Sequence, residues 1–220
     1  MEKLTVEAME KSLNRTNLPT QRSISENSEM SIDEQREQLR KRLNISSLEN
    51  TFANFKPVKG AGESLKLFKE LSTRPEWYML LCLGTPGCGK THLCEGLSIE
   101  LYKAGIFAPV VKFNEMISAF KKAINSDYVD AYNNRISAYK KMRCLILDDY
   151  GLGVKISDYD IAIVEEFIDY RYRERLMTVL TSNLDLDKLP GRVVSRFGDG
   201  ETSRIVINRA IDYRPLKGSK

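Results

Sequence analysis

The stretch LCLGTPGCGKTHLCEGL, from Leu81 to Leu97, constrains the chain more than any other. A short apolar run bounded by glycine predicts a buried strand. It breaks into a glycine-rich turn, and Lys90 and Thr91 open the helix that follows. Residues 84–91 fit the pattern Gly-x-x-x-x-Gly-Lys-Thr. In such a turn the glycines let the backbone curl until successive N–H groups point inward at one anion. The helix mouth adds unpaired N–H groups and the positive end of its dipole. Gly84, Thr85, Pro86, Gly87, Cys88 and Gly89 therefore predict a cradle for the phosphates of a nucleotide. Lys90 supplies a mobile positive charge for the outer phosphates, and the Thr91 hydroxyl a ligand for Mg²⁺.

The rest of the chain supports a layered architecture. WYMLLCLG, APVVKFN (Ala108–Asn114), RCLILDDYG (Arg143–Gly151), LMTVLTSN (Leu176–Asn183) and SRIVIN (Ser203–Asn208) read as five strands. Between them lie helical patterns: Lys90 to about Ala104, EMISAFKKAI, DAYNNRISAYKKM and DYDIAIVEEFIDYRYRER. An amphipathic helix near Ala61 to Leu71 precedes the first strand. Strands alternating with helices predict an α/β fold of three α/β/α layers around a mostly parallel five-stranded sheet. At 220 residues the chain is long enough for one such domain with an appended segment. Residues 1–50 are that segment. They contain no glycine and no aromatic residue, and cannot bury enough surface to fold alone. They are expected to be partly disordered and to bind a partner through short helices at Val6–Leu13 and Ile32–Leu43. In the second, Ser31 is the N-cap and Glu34 closes a capping box, on a face charged enough to predict a solvated or partner-docking helix. Residues 51–220 form the phosphate-binding domain.

Composition excludes several classes. Four cysteines without a CxxC pair and a single histidine, His92, argue against a zinc site. Cys82 and Cys144 lie in apolar runs, as buried reduced thiols do, which favours the cytoplasm. No apolar run reaches the length of a membrane span, and the N-terminus has no apolar signal core. A net charge of +4 permits an acidic or nucleic-acid partner without requiring one.

A phosphate cradle that does chemistry needs a metal and a group that places water. CLILDD offers both at the end of its strand: Asp148 to hold Mg²⁺, and Asp149 to orient the attacking water. Asp149 is one methylene shorter than glutamate, so slow hydrolysis is expected. Asn183, at the carboxyl end of the fourth strand, could bond the γ-phosphate or cap the turn after it. Arg192 and Arg196 share a helix face, either as surface ion-pair partners or as arginines that reach a neighbouring subunit's γ-phosphate. Arg214 is a candidate to touch nucleotide from the same chain. His92 closes the run of candidate nucleotide-binding residues and reads as a first-turn residue packing locally beside the cradle, and Cys88 as a small filler of the loop.

In this order the motifs TFANFKP, GTPGCGKTHL, LILDDYG, LTSN, LPGRVVSRF and DYR resemble the helicase-loader branch of the AAA+ ATPases, the DnaC/DnaI/IstB group. They cover most of residues 51–214. The resemblance implies an AAA+ fold, ATP with Mg²⁺, and a weak ATPase. It makes Asn183 the sensor 1 residue, Arg196 a trans arginine finger and Arg214 a sensor-2-like arginine. It also implies assembly into a ring or spiral of copies around a replicative helicase hexamer and single-stranded DNA. KISDYD matches the family's DNA-contacting stretch at Ser157 and Tyr159, where a hydroxyl can hold phosphate and a ring can stack a base. EMISAFKKAINSDY resembles a second DNA-facing element, but Ile124 stands where the family has an aromatic. Lys121, Lys122 and Lys141 are candidate phosphate contacts, and Phe120 reads as core. The absence of cysteine and histidine from residues 1–50 departs from loaders with a zinc-binding N-terminal domain. IstB-type transposition helpers share all the core motifs, so these do not separate the two roles. A DNA-binding adaptor clasped by ATP is a further alternative. A small-molecule kinase would need a substrate lid that LPGRVVSRF does not resemble.

Overall fold

The alternation of apolar residues along β1, Met79–Gly84, sends Leu80 and Cys82 to one side and Met79, Leu81 and Leu83 to the other. Both sides are buried, so helices must cover the sheet twice. In the computed structural model that is what happens. The structure describes residues 30–74, 79–124, 137–151 and 157–215, and only the backbone of 119–124. The chain runs α1 (Ile32–Leu43), α2 (Gly62–Thr73), β1, α3 (Lys90–Lys103), β2 (Val110–Lys112) and α4 (Phe113–Ile124). It continues through β3 (Cys144–Tyr150), α5 (Asp158–Arg173), β4 (Met177–Ser182), α6 (Gly191–Phe197) and β5 (Ser203–Asn208). A turn of helix also covers residues 137–141.

All pairings are parallel and the strand order is β2-β3-β4-β1-β5, so the expected mostly parallel sheet is wholly so. One core, with Phe68, Leu71, Leu93 and Leu97, lies between the sheet and α1–α3. The other, with Phe113, Ile117, Val164, Phe167 and Phe197, lies under α4, α5 and α6. β2 is shorter than expected. It stops at Lys112, and the chain turns helical at Phe113, whose ring packs at 4.5 Å from Tyr150. The helix expected at Val6–Leu13 and the first part of DAYNNRISAYKKM lie outside the described residues.

α1 begins as expected: Ser31 caps it, accepting from the Glu34 N–H while Glu34 reaches back to the Ser31 N–H. Its surroundings differ from a solvated helix. Leu39, Leu43 and Ile45 are buried in the core beside α3, and Asn44 donates to the Val110 carbonyl at 2.7 Å. Three buried aliphatic side chains contribute about 1.5–3 kcal/mol each, which outweighs exposed pairs such as Arg36–Glu49 at about 0–1 kcal/mol. Residues 39–50 thus share the core of the domain that follows. Glu95 of α3 fixes them, accepting from the Ser46 N–H (2.8 Å), the Ser46 hydroxyl (3.0 Å) and the Asn50 amide (2.7 Å). Glu95 is 3% exposed. Glu95→Ala leaves those donors unpaired and is expected to cost about 2 kcal/mol, lowering Tm by about 4–8 °C, with Glu95→Gln losing less. Differential scanning calorimetry of the two variants checks this.

Candidate functional site

The helix N-terminus of the cradle forms because Gly89 takes a left-handed conformation (φ 93°) and no side chain caps α3. A Cβ on Gly89 would meet the Phe55 ring at 2.8 Å, and one on Gly87 (φ 78°) would overlap Asp212. The loop is therefore clasped between the segment before α2 and the one that follows β5. Asn208 donates to the Cys88 carbonyl (3.0 Å), Thr85 to the Ala210 carbonyl (3.3 Å), and the Tyr213 N–H to the Gly87 carbonyl (3.1 Å). These bonds bring Tyr213 and Arg214 to the rim of a cavity of ≈ 880 Å³. Pro86, Gly87, Cys88, Gly89, Lys90 and Thr91 line its floor, with His92, Asp149 and Asn183 beside them. Asn54, Phe55 and Val58 form a wall that the motif TFANFKP did not reveal as a ligand surface. The His92 ring stands edge-on to Phe55 at 5.2 Å, its Nε2 2.8 Å from the Thr51 carbonyl, as expected of a locally packed residue.

Lys90 is almost fully buried. Its ammonium donates to the carbonyls of Gly84 (2.6 Å) and Thr85 (3.0 Å) and to Asn183 Oδ1 (2.6 Å). Sequence reasoning put Asn183 near the phosphates; β4 brings its side chain to the Lys90 ammonium, 93 residues away in the chain. Asp185, not Asn183, holds the N-cap position of the short helical turn at Leu186–Lys188, with no side-chain cap bond. Cys88 lies behind Lys90, buried, with Sγ 3.5 Å from the ammonium. The other three thiols are buried and free as well. Burial pushes Cys82 up to about 12, with Cys88 adding to it, and Cys144 up to about 11.

The acidic pair is shaped by a break in β3. The register with β4 shifts between Leu147 and Tyr150, and Asp149 is left-handed (φ 62°) with its N–H on the Thr181 hydroxyl (3.1 Å). A regular strand would send consecutive carboxylates to opposite faces; this bulge turns both to the carboxyl edge of the sheet. Asp148 is fully buried. Its Oδ1 accepts from Thr181 (2.5 Å), and its Oδ2 from Thr91 (2.8 Å) and Lys112 (2.5 Å). Lys112 also lies 3.4 Å from Asp149 Oδ2. Burial alone would depress the Lys112 pKa; the Asp148 and Asp149 carboxylates outweigh it and hold it above the ordinary lysine value. Nothing in the sequence marked Lys112, whose partners come from the strand beside it. A hydroxyl and a carboxylate oxygen in contact are a donor set that suits a hard cation, so Thr91 and Asp148 fit Mg²⁺. When bound, the ion would neutralise charge on the outer phosphates.

The remaining candidates lie elsewhere. Arg196 is outside the cavity, bound to Asp169 at 2.6 Å with its guanidinium 4.9 Å over the Tyr172 ring. Arg192 reaches Glu165 at 3.8 Å, so the two arginines of α6 face two carboxylates of α5. Ser157 caps α5 in a box with Asp160, and Tyr159 is 57% exposed. Phe120, Lys121, Lys122 and Ile124 lie on the α4 backbone with no side chain described. Among the described residues no cluster of three or more metal-ligating side chains occurs, and no helix is long and apolar enough to cross a membrane.

A glycine cradle between the first strand and helix of this parallel sheet, with an acidic strand end and a polar strand end converging on it, defines a P-loop ATPase fold of the AAA+ class. The family profile described as IstB-like ATP binding protein matches residues 7–212, and the chain belongs to that family. Among curated relatives, an insertion sequence IS232 protein of Bacillus thuringiensis subsp. berliner, described as ATP-binding, is 29% identical over 134 residues, 61% of this chain and 50% of that one. The replicative helicase loader DnaC of Escherichia coli K12 is 24% identical over 129 residues, 57% and 52% of the two chains. The chain thus spans about half the length of these relatives. In fold it is similar to a crystal structure of the DnaC helicase loader (TM-score 0.63, 22% identity, 74% of this chain and 98% of that one). It is also similar to AMPPCP-bound DnaA of Aquifex aeolicus (TM-score 0.63, 22% identity, 79% and 54%).

Proposed function

We propose that this protein is an ATP-dependent loader of a hexameric replicative helicase onto single-stranded DNA. The observation that carries its ATP-dependent part is the Lys90–Asn183 contact at the floor of the cavity, which ties the cradle to a second strand so that a γ-phosphate would have both groups in reach, and the likeness to the DnaC relative supports the loader role. In this reading ATP with Mg²⁺ draws copies into a ring or spiral. Lys90 and the loop amides hold the phosphates, Thr91 and Asp148 the metal, Asp149 the water, and Arg214 the nucleotide from the rim. Arg196, on the outer surface, completes a neighbour's site. Slow hydrolysis then releases the helicase. Residues 1–50 recruit the partner, and Ser157 and Tyr159 meet the DNA.

A transposition helper is the second reading, supported by the IS232 relative and the family match. Mass photometry with the replicative helicase of the same cell, in ATP and then ADP, separates the two. A loader gives an ATP-dependent complex with the hexamer that disperses in ADP. A chain that assembles with ATP on DNA but ignores the hexamer is a helper.

A further inference from the structure

The register of β2 on β3 sets Lys112 directly opposite Asp148. Its ammonium meets Asp148 Oδ2, the same oxygen that the Thr91 hydroxyl meets. The carboxylate's other oxygen is already taken by Thr181 at 2.5 Å, with Cys94 Sγ at 3.8 Å. Asp148 therefore has one oxygen to give to a cation, and Lys112 stands on it. The Lys112 side chain is 37% exposed, so its stem has solvent to swing into.

We infer that Lys112 is a tethered counter-ion that competes with Mg²⁺ for Asp148, so that the protein engages metal–nucleotide less readily than its bare Thr91–Asp148 pair would. This rests on the reading of the cavity as a Mg–nucleotide site. A lysine on the carboxylate neutralises it when metal is scarce and must leave when metal enters. Affinity for nucleotide is thereby made less sensitive to Mg²⁺, because one cation replaces another rather than filling a bare charge.

The test is the dissociation constant of a fluorescent AMPPCP derivative, measured in excess Mg²⁺ and in EDTA, for the wild-type protein, Lys112→Met and Lys112→Arg. In Mg²⁺, Lys112→Met binds more tightly than wild type, since the ion no longer displaces an ammonium. In EDTA it binds more weakly, since the uncovered carboxylate repels phosphate. The ratio of the two constants widens by about tenfold. Lys112→Arg keeps the wild-type ratio. Should Lys112→Met fail to fold, Lys112→Gln is read in the same way. Weaker binding in both conditions makes Lys112 a phosphate ligand and overturns the inference; so does an unchanged ratio, which makes it a surface lysine. Wild-type protein that binds no AMPPCP in either condition overturns the nucleotide reading itself, an outcome distinct from both.

Discussion

Lys90→Ala binds ATP at least about 100-fold more weakly than the wild-type protein, because a charge-assisted contact to phosphate in a nearly dry site is worth about 3 kcal/mol or more. The ammonium is held at three acceptors: the Gly84 and Thr85 carbonyls and Asn183 Oδ1. It is thus aimed before any phosphate arrives, and little side-chain entropy is left to lose on binding. Lys90→Arg does not restore affinity, since a planar fork cannot follow a point charge into a space 5% exposed. Isothermal titration with AMPPCP and Mg²⁺ measures the loss, and circular dichroism of each variant separates it from unfolding. A Lys90→Ala variant that is folded and binds AMPPCP like the wild type would sink the cradle reading. Asn183→Ala is the internal control: it frees the ammonium from one anchor without removing charge, so its effect on affinity is smaller.

The residues of this site were legible in the sequence where a function rests on neighbours in the chain. The cradle is eight consecutive residues, and its glycines and lysine announce their geometry through backbone freedom and charge. The Ser31–Glu34 box was legible for the same reason. Asn183 was legible one step further on, because the carboxyl ends of parallel strands gather at one edge. Lys112 was not. Its meaning depends on a register that pairs it with Asp148, 36 residues away, and on β2 ending at Lys112 itself. The burial of α1 was also hidden. Leu39 and Leu43 make a stripe of only two residues on a helix otherwise charged, and what decides their fate is Glu95 of α3, which ties down the turn behind them. The bulge at Asp149 could not be read from two adjacent aspartates, since the strain of a left-handed aspartate is carried by Thr181 on the next strand.

Arg196→Ala leaves AMPPCP affinity within about twofold of wild type but removes the ATPase activity of the assembled protein by about a thousandfold, the scale on which an arginine supplied in trans acts. Arg196 does not line its own chain's cavity. It is held on the surface by Asp169, which also binds Arg173 at 3.1 Å, and by the Tyr172 ring. A half-exposed pair of this kind contributes about 0–1 kcal/mol, so the fold does not depend on it and the guanidinium can be given up to a stronger anion. In the proposed reading the carboxylate and ring keep the fork extended until a neighbour's triphosphate, with more charge to offer than Asp169, draws it away. Mixing tests whether the residue acts across an interface. On that reading Arg196→Ala protomers keep a complete nucleotide site and lack the finger, while Asp149→Asn protomers keep the finger and lack the water-orienting carboxylate. Neither hydrolyses ATP alone. In an equal mixture of head-to-tail protomers about a quarter of the interfaces join an intact site to an intact finger, and activity returns in that proportion. An arginine acting within its own chain gives no recovery on mixing, and an Arg196→Ala assembly that hydrolyses ATP at the wild-type rate leaves the arginine as nothing more than the partner of Asp169.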